Sequence, residues 1–227
     1  MAAEVGPDGS DRTGHGTAWG LSASLSPQNG RMPSADLIMR HPEEWRAAVT
    51  HPFLQGVRDG TLASRAFDTW LAQDHLFVRD LLSFQARLLA KALRPGQRVL
   101  AAGLVALEAE LSWFEAGAQE RQLNLDEHRH PTTDSYRAAL ARWLEAGVEP
   151  ALTALWTLER AYLEAWRSAA PGASEYRSFV EHWTVHQFSD YVHDLESLAV
   201  DTPRCEAVFL EVCKLERAFW NMAWTPA

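Results

Sequence analysis

The stretch Phe67-Asp-Thr-Trp-Leu-Ala-Gln-Asp-His-Leu-Phe-Val-Arg-Asp80 decides how the rest of the chain is read. Its large apolar residues, Phe67, Trp70, Leu71, Phe77, Val78 and, just beyond, Leu81, recur at helical spacing. That spacing is the stripe an α-helix turns toward a core. Asp74 falls in the middle of the stripe. A carboxylate there must be paired, protonated or hydrogen-bonded, because an isolated buried charge is very costly. One such residue is readily explained as half of a structural ion pair. Several such residues on different helices point to function.

The anomaly recurs on three more predicted helices. Over about 97–122 the stripe reads Leu104, Leu107, Glu110, Leu111 and Phe114. Over about 149–169 it reads Leu152, Leu155, Trp156, Glu159, Tyr162, Leu163 and Trp166. Over about 202–224 it reads Val212, Glu216, Phe219 and Ala223. The remaining helices are placed at about 42–50, 64–92, 132–146 and 174–200. In the last of these, Phe179 and Trp183 lie on a different face from Val185, Phe188, Val192, Leu195 and Ala199, which predicts a kink near 183–185. Residues 51–60 read as a partly ordered connection, with Gly60 as a turn residue. No segment alternates at period two over strand length. The expected fold is all-α, a bundle of about seven helices. Residues 1–34, Gly- and Ser-rich without periodicity, are expected to be a disordered tail, leaving 35–227 as the folded domain. Met32 is an alternative start, testable by mass spectrometry of natively expressed protein.

Composition narrows the function. The chain has 227 residues and a net charge of −9, which disfavours DNA or an anionic membrane as partner. Ten Trp are expected to pack helices or line a pocket. Cys205 and Cys213, eight residues apart, give neither a disulfide framework nor a zinc spacing, which fits a reducing, cytoplasmic setting. No apolar run reaches transmembrane length, and the N-terminus lacks signal-peptide blocks.

Asp74, Glu110, Glu159 and Glu216 come from four helices, and a bundle core is where facing helices build a site. Two chemistries use such a cavity. One is a dimetal centre, for which His186, Asp190 and His193 are the best ligand signal. On the helical wheel that triplet lies opposite Val185, Phe188, Val192 and Leu195, so it is read as a solvated face. Glu127 and His130 share an i, i+3 spacing but sit beside Pro131 without apolar neighbours, and are discounted. The other chemistry is an organic pocket. There the carboxylates hydrogen-bond an amine-bearing heterocycle, Tyr136, Tyr162, Phe77 and Trp183 form walls, and a carboxyl of raised pKa moves protons. Neither a metal nor a cofactor is expected.

Six short blocks, in order and spacing, resemble the TenA/Thi-4 family, the thiaminase II relatives with a heme-oxygenase-like helical fold. They are His51-Pro-Phe-Leu-Gln-Gly, Asp59-Gly60-Thr61, Trp70 to Arg79, Glu110-Leu-Ser-Trp-Phe114, Leu155 to Tyr162 and Leu215 to Met222. The resemblance implies a hydrolase of thiamin pyrimidine salvage that forms hydroxymethylpyrimidine. It implies that Asp74 binds the pyrimidine amino group and ring nitrogen, that Glu216 is the acid/base, and that Tyr136 and Tyr162 line the site. It also implies a homodimer or homotetramer. The family's nucleophilic Cys is replaced by Leu158, and two family tyrosines by Phe77 and Trp183. The blocks around Trp70, Glu110 and Glu159 look like the Glu-type branch, associated with aminopyrimidine hydrolysis, so Glu159 is the candidate replacement catalytic carboxylate. Cys213, one helical turn from Glu216, is read as a small buried residue. The rival readings are a heme-oxygenase-like dimetal oxidase and a non-catalytic thiamin-pyrimidine-binding protein.

Overall fold

The computed structural model describes residues 34–125 and 128–224. Of the tail expected over 1–34, residues 1–33, and with them the alternative start at Met32, lie outside these residues, as does Glu127. Ser34 is buried, and its hydroxyl donates to the carbonyl of Glu196 at 3.3 Å.

Among the described residues there are ten helices and no strand. In order they are α1 (Ala35–Arg40), α2 (Pro42–Val49), α3 (Pro52–Asp59), α4 (Ser64–Lys91) and α5 (Arg94–Glu120). They continue as α6 (Pro131–Ala146), α7 (Val148–Ser168), α8 (Arg177–Thr184), α9 (His186–Glu196) and α10 (Pro203–Trp224). Three differences from the sequence reading account for the count. The short α1 precedes Pro42. Residues 52–59, read as a partly ordered connection, form α3. There His51 Nδ1 accepts from the Phe53 N–H at 3.1 Å, Pro52 sits at the helix start, and Phe53, Leu54 and Val57 are fully buried. Gly60 closes α3 at φ +72°, the left-handed conformation that glycine takes without strain. The kink expected near 183–185 is a complete break, with Val185 extended between α8 and α9.

α4 organises the packing. It lies along α5 and α6, while α7 and α10 pack against each other and close the opposite side. Trp70, fully buried, stands 5.0 Å from Phe67, 5.1 Å from Trp166 and 5.6 Å from Trp183, centroid to centroid. Edge-to-face contacts of this kind add to the large area each ring removes from water. The Trp220 indole donates to the carbonyl of Ala48 at 2.9 Å and so pins α10 to α2. Gln73, in the first half of α4, accepts from the His130 N–H at 2.9 Å and from the Thr133 hydroxyl at 2.8 Å. It thereby sets the start of α6, five residues before Tyr136.

Candidate active site

The helical register that made Asp74 an anomaly carries it into the bundle. Asp74 is 2% exposed, Glu216 5% and Glu159 7%; Glu110, on the more open α5, is half-buried. Each carboxyl has a distinct partner. Tyr162 Oη donates to Asp74 Oδ2 at 2.6 Å. Trp183 Nε1 donates to Glu110 Oε1 at 2.9 Å. Tyr136 Oη donates to Glu216 Oε1. Among the described residues no side chain hydrogen-bonds to Glu159.

The four groups share one electrostatic environment. Burial pushes the Asp74 and Glu159 carboxyls well above the usual carboxylate range, and the neighbouring carboxylates push them further. For Glu159 those neighbours are Glu110, Glu216 and Asp74. Burial raises Glu110 and Glu216 to about 7, against the opposing effect of the Trp183 and Tyr136 hydrogen bonds. Near neutral pH this cluster therefore holds protons that ordinary carboxylates would have lost.

A small cavity of about 20 Å³ is lined by Asp74, Phe77, Glu110, Glu159, Tyr162 and Trp183, together with Leu158 and other apolar residues. Six of the eight residues singled out from the sequence thus meet at one place. Tyr136 and Glu216 stand apart from this lining. The Tyr136 ring packs 4.7 Å from Phe77, so the Tyr136–Glu216 pair adjoins the cavity through that ring. Leu158 is 2% exposed and presents only hydrocarbon to the cavity. Cys213 is buried, its thiol pushed up to about 12 by burial, and it lines a separate hollow between α2 and α10 with Lys214 and Arg217. A thiol held protonated in this way is a poor nucleophile.

The residues weighed as metal ligands lie elsewhere. His186 Nδ1 and Asp190 Oδ2 are 2.8 Å apart, but their side chains are 84% and 64% exposed, and His193 is exposed too. His130 caps α6 by accepting from the Thr132 N–H at 3.1 Å. Among the described residues no group of three His, Cys, Asp or Glu is placed to hold a metal ion.

Beside the cavity lies a groove of about 430 Å³ between α5 and α8–α9, sharing Leu107, Glu110, Glu159, Trp183 and Phe188 with it. His182 and Tyr191, which the sequence reading passed over, line this groove. Tyr191 Oη donates to Gln85 Oε1 at 3.2 Å, and Gln85 Nε2 donates to the carbonyl of Leu100 at 2.8 Å. Both reach past Gly103, where a Cβ would fall 2.2 Å from the Gln85 amide and 2.3 Å from the Tyr191 hydroxyl.

The described residues thus form an all-helical bundle with inward carboxyls and aromatic hydrogen-bond donors at its centre. The chain belongs to the TENA/THI-4/PQQC family, whose pattern it matches over residues 39–226. It is 29% identical over 207 residues to a soybean (Glycine max) protein named probable bifunctional TENA-E protein, covering 82% of this chain and 90% of that one. It is 23% identical over 220 residues to the aminopyrimidine aminohydrolase of Halalkalibacterium halodurans, covering 84% of this chain and 95% of that one. The crystal structure of a TenA homologue from Pyrococcus furiosus superposes with a TM-score of 0.81 at 30% identity, covering 85% of this chain and all of that one. The all-α expectation holds. Among the described residues no helix is long and apolar enough to cross a membrane.

Proposed function

We propose that the helical domain, residues 35–227, hydrolyses the exocyclic C–N bond of a 4-amino-5-aminomethyl-2-methylpyrimidine, or of its N-formyl derivative, to hydroxymethylpyrimidine. The observation that carries this is the convergence of Asp74, Glu110 and Glu159 on one cavity with Tyr162, all with carboxyl pKa values raised by burial. The names of the relatives point the same way. A protonated carboxyl presents one donor and one acceptor side by side, which matches a ring nitrogen next to an amino group. Asp74 is assigned that pair, and the Tyr162 hydrogen bond to its Oδ2 supports the assignment by fixing the carboxyl. Transfer of the Asp74 proton to the ring makes the pair charge-assisted.

Glu159 is assigned the proton donor to the leaving nitrogen, because it lines the cavity and spends no hydrogen bond on another side chain. Glu216, with Tyr136, takes the acid/base role at the attacking water. The water oxygen joins the methylene carbon, its proton passes to a carboxylate, and the nitrogen leaves protonated. Leu158 closes the covalent route, because a ring adduct needs a nucleophile that hydrocarbon lacks. We place the protein in the cytoplasm as a homo-oligomer, on the strength of the resemblance and of the unpaired, buried cysteines.

The test is product detection by chromatography, with the aminomethyl compound, its formyl derivative and thiamin at equal concentration. The expected result is hydroxymethylpyrimidine from the first two and little or none from thiamin. Robust thiamin cleavage that survives Cys213→Ser would overturn the assignment. Tight binding without turnover would make the protein a pyrimidine-binding one.

A further inference from the structure

The cavity and the groove beside it differ in size by more than an order of magnitude, about 20 Å³ against about 430 Å³. Glu110, Glu159 and Trp183 belong to both, so they form the threshold between the two spaces. Glu159, assigned above to the leaving nitrogen, is one of these threshold residues, so under that assignment the 5-substituent of a ring held by Asp74 lies at the mouth of the groove. The α5 wall of the groove is Ala102, Gly103, Ala106 and Ala109, with the longer Leu107 and Glu110 on the side shared with the cavity. The opposite wall is Val185, Phe188 and Tyr191, with His182 and Gln187 as its polar members. The Tyr191–Gln85 hydrogen bond, running where a Gly103 side chain would be, fixes the floor. An amino or formylamino group leaves almost all of this apolar space unused.

We propose that the groove is a subsite for an apolar group carried on the substrate's exocyclic nitrogen, so that the protein takes N-acylaminomethyl pyrimidines with acyl chains longer than formyl. The inference rests on the aminopyrimidine reading above. The bookkeeping of the reaction is unchanged. The methylene C–N bond breaks, water supplies hydroxide to carbon and a proton to nitrogen, and the intact amide departs into the groove. The acyl chain displaces water from the α5 methyl groups and from the Phe188 ring, and each buried methylene tightens binding.

The test is calorimetric binding of the aminomethyl compound and of its N-formyl, N-acetyl and N-butyryl derivatives, to the wild type and to Ala106→Phe. Ala102→Leu is a second, milder filling variant should Ala106→Phe fail to fold. In the wild type, affinity is expected to rise about fourfold per added methylene from formyl to butyryl, the worth of burying one methylene. Either filling variant is expected to cut the butyryl-to-formyl affinity ratio at least tenfold, with circular dichroism unchanged. A flat series in the wild type overturns the proposal, as does an equal loss for every compound in the variants. Light scattering checks the competing occupant, a second copy of this chain. A flat series together with a change of mass in Ala106→Phe would give the groove to an interface instead. Binding of the aminomethyl compound alone removes this proposal and leaves the aminopyrimidine reading standing. Failure of all four compounds to bind removes both.

Discussion

The two sides of the site are built on different terms. On one side, α4, α7 and α10 present Asp74, Glu159 and Glu216 from helices whose inward faces are wholly buried among large rings. On the other, α5 and α9 bury little of themselves; α9 buries only Val192 and Leu195, and Val185 and Val105 are 43% and 71% exposed. Tight packing holds the first side in one arrangement, because changes of even one methylene are felt there. The second side, interrupted at Val185 and lined by methyl groups, is the one that can vary with the ligand. In the proposed reaction, recognition and proton transfer fall to the rigid half and the substituent to the permissive half.

The sharpest way to break this comparison is at the proton donors. Glu159→Gln and Glu216→Gln are each expected to lower kcat by about 10²–10⁴, the usual worth of a general acid or base. If Glu159 only supports the wall, its replacement will cost far less than that of Glu216 in the same steady-state assay. Next comes the anchor. Asp74→Asn should weaken pyrimidine binding by about 2–4 kcal/mol in calorimetry, because an amide cannot give up a proton to the ring. Its fold should persist; unchanged affinity would take Asp74 out of the site.

A smaller effect follows from pH. Glu110 and Glu216 have folded-state pKa values raised from 4.5 to about 7, so folding holds protons that the unfolded chain has released. Their contribution is fully present below pH 4.5, declines as pH rises, and is gone above about 7. Urea unfolding of the wild type should therefore show a loss of about 1–3 kcal/mol from the buried Glu216 alone between pH 4.5 and 7.5. Glu216→Gln should flatten that slope. Smallest of all is the solvent side of α9. His186→Ala should change stability by less than about 0.5 kcal/mol and leave turnover intact, since His186 is 84% exposed. A large loss of activity there would return the dimetal reading.

How much of this was legible in the sequence follows the same division. Asp74, Glu159 and Glu216 stood out because a charge inside a helical apolar stripe breaks a strong pattern. The break at Val185 was visible as two apolar faces out of register. The helix α3 was hidden inside a segment read as a connection, because its order rests on His51 capping the turn and on the burial of Phe53 and Val57, which the pattern alone does not give. Gln73, Gln85 and Tyr191 left little trace, since whether a polar side chain in a helix is buried depends on what packs over it. The separation of Tyr136 and Glu216 from the cavity lining was also beyond periodicity, which gives a direction from the helix axis and not a depth.

Gly103 carries a warning for anyone engineering this scaffold. By helix propensity alone, replacing a glycine inside α5 with alanine should gain about 1 kcal/mol. At this position the added methyl would collide with the Gln85 amide and the Tyr191 phenol, at 2.2 and 2.3 Å. A consensus-style substitution would then unlatch α9 from α4, and a change entered as thermostabilising would surface as altered substrate preference.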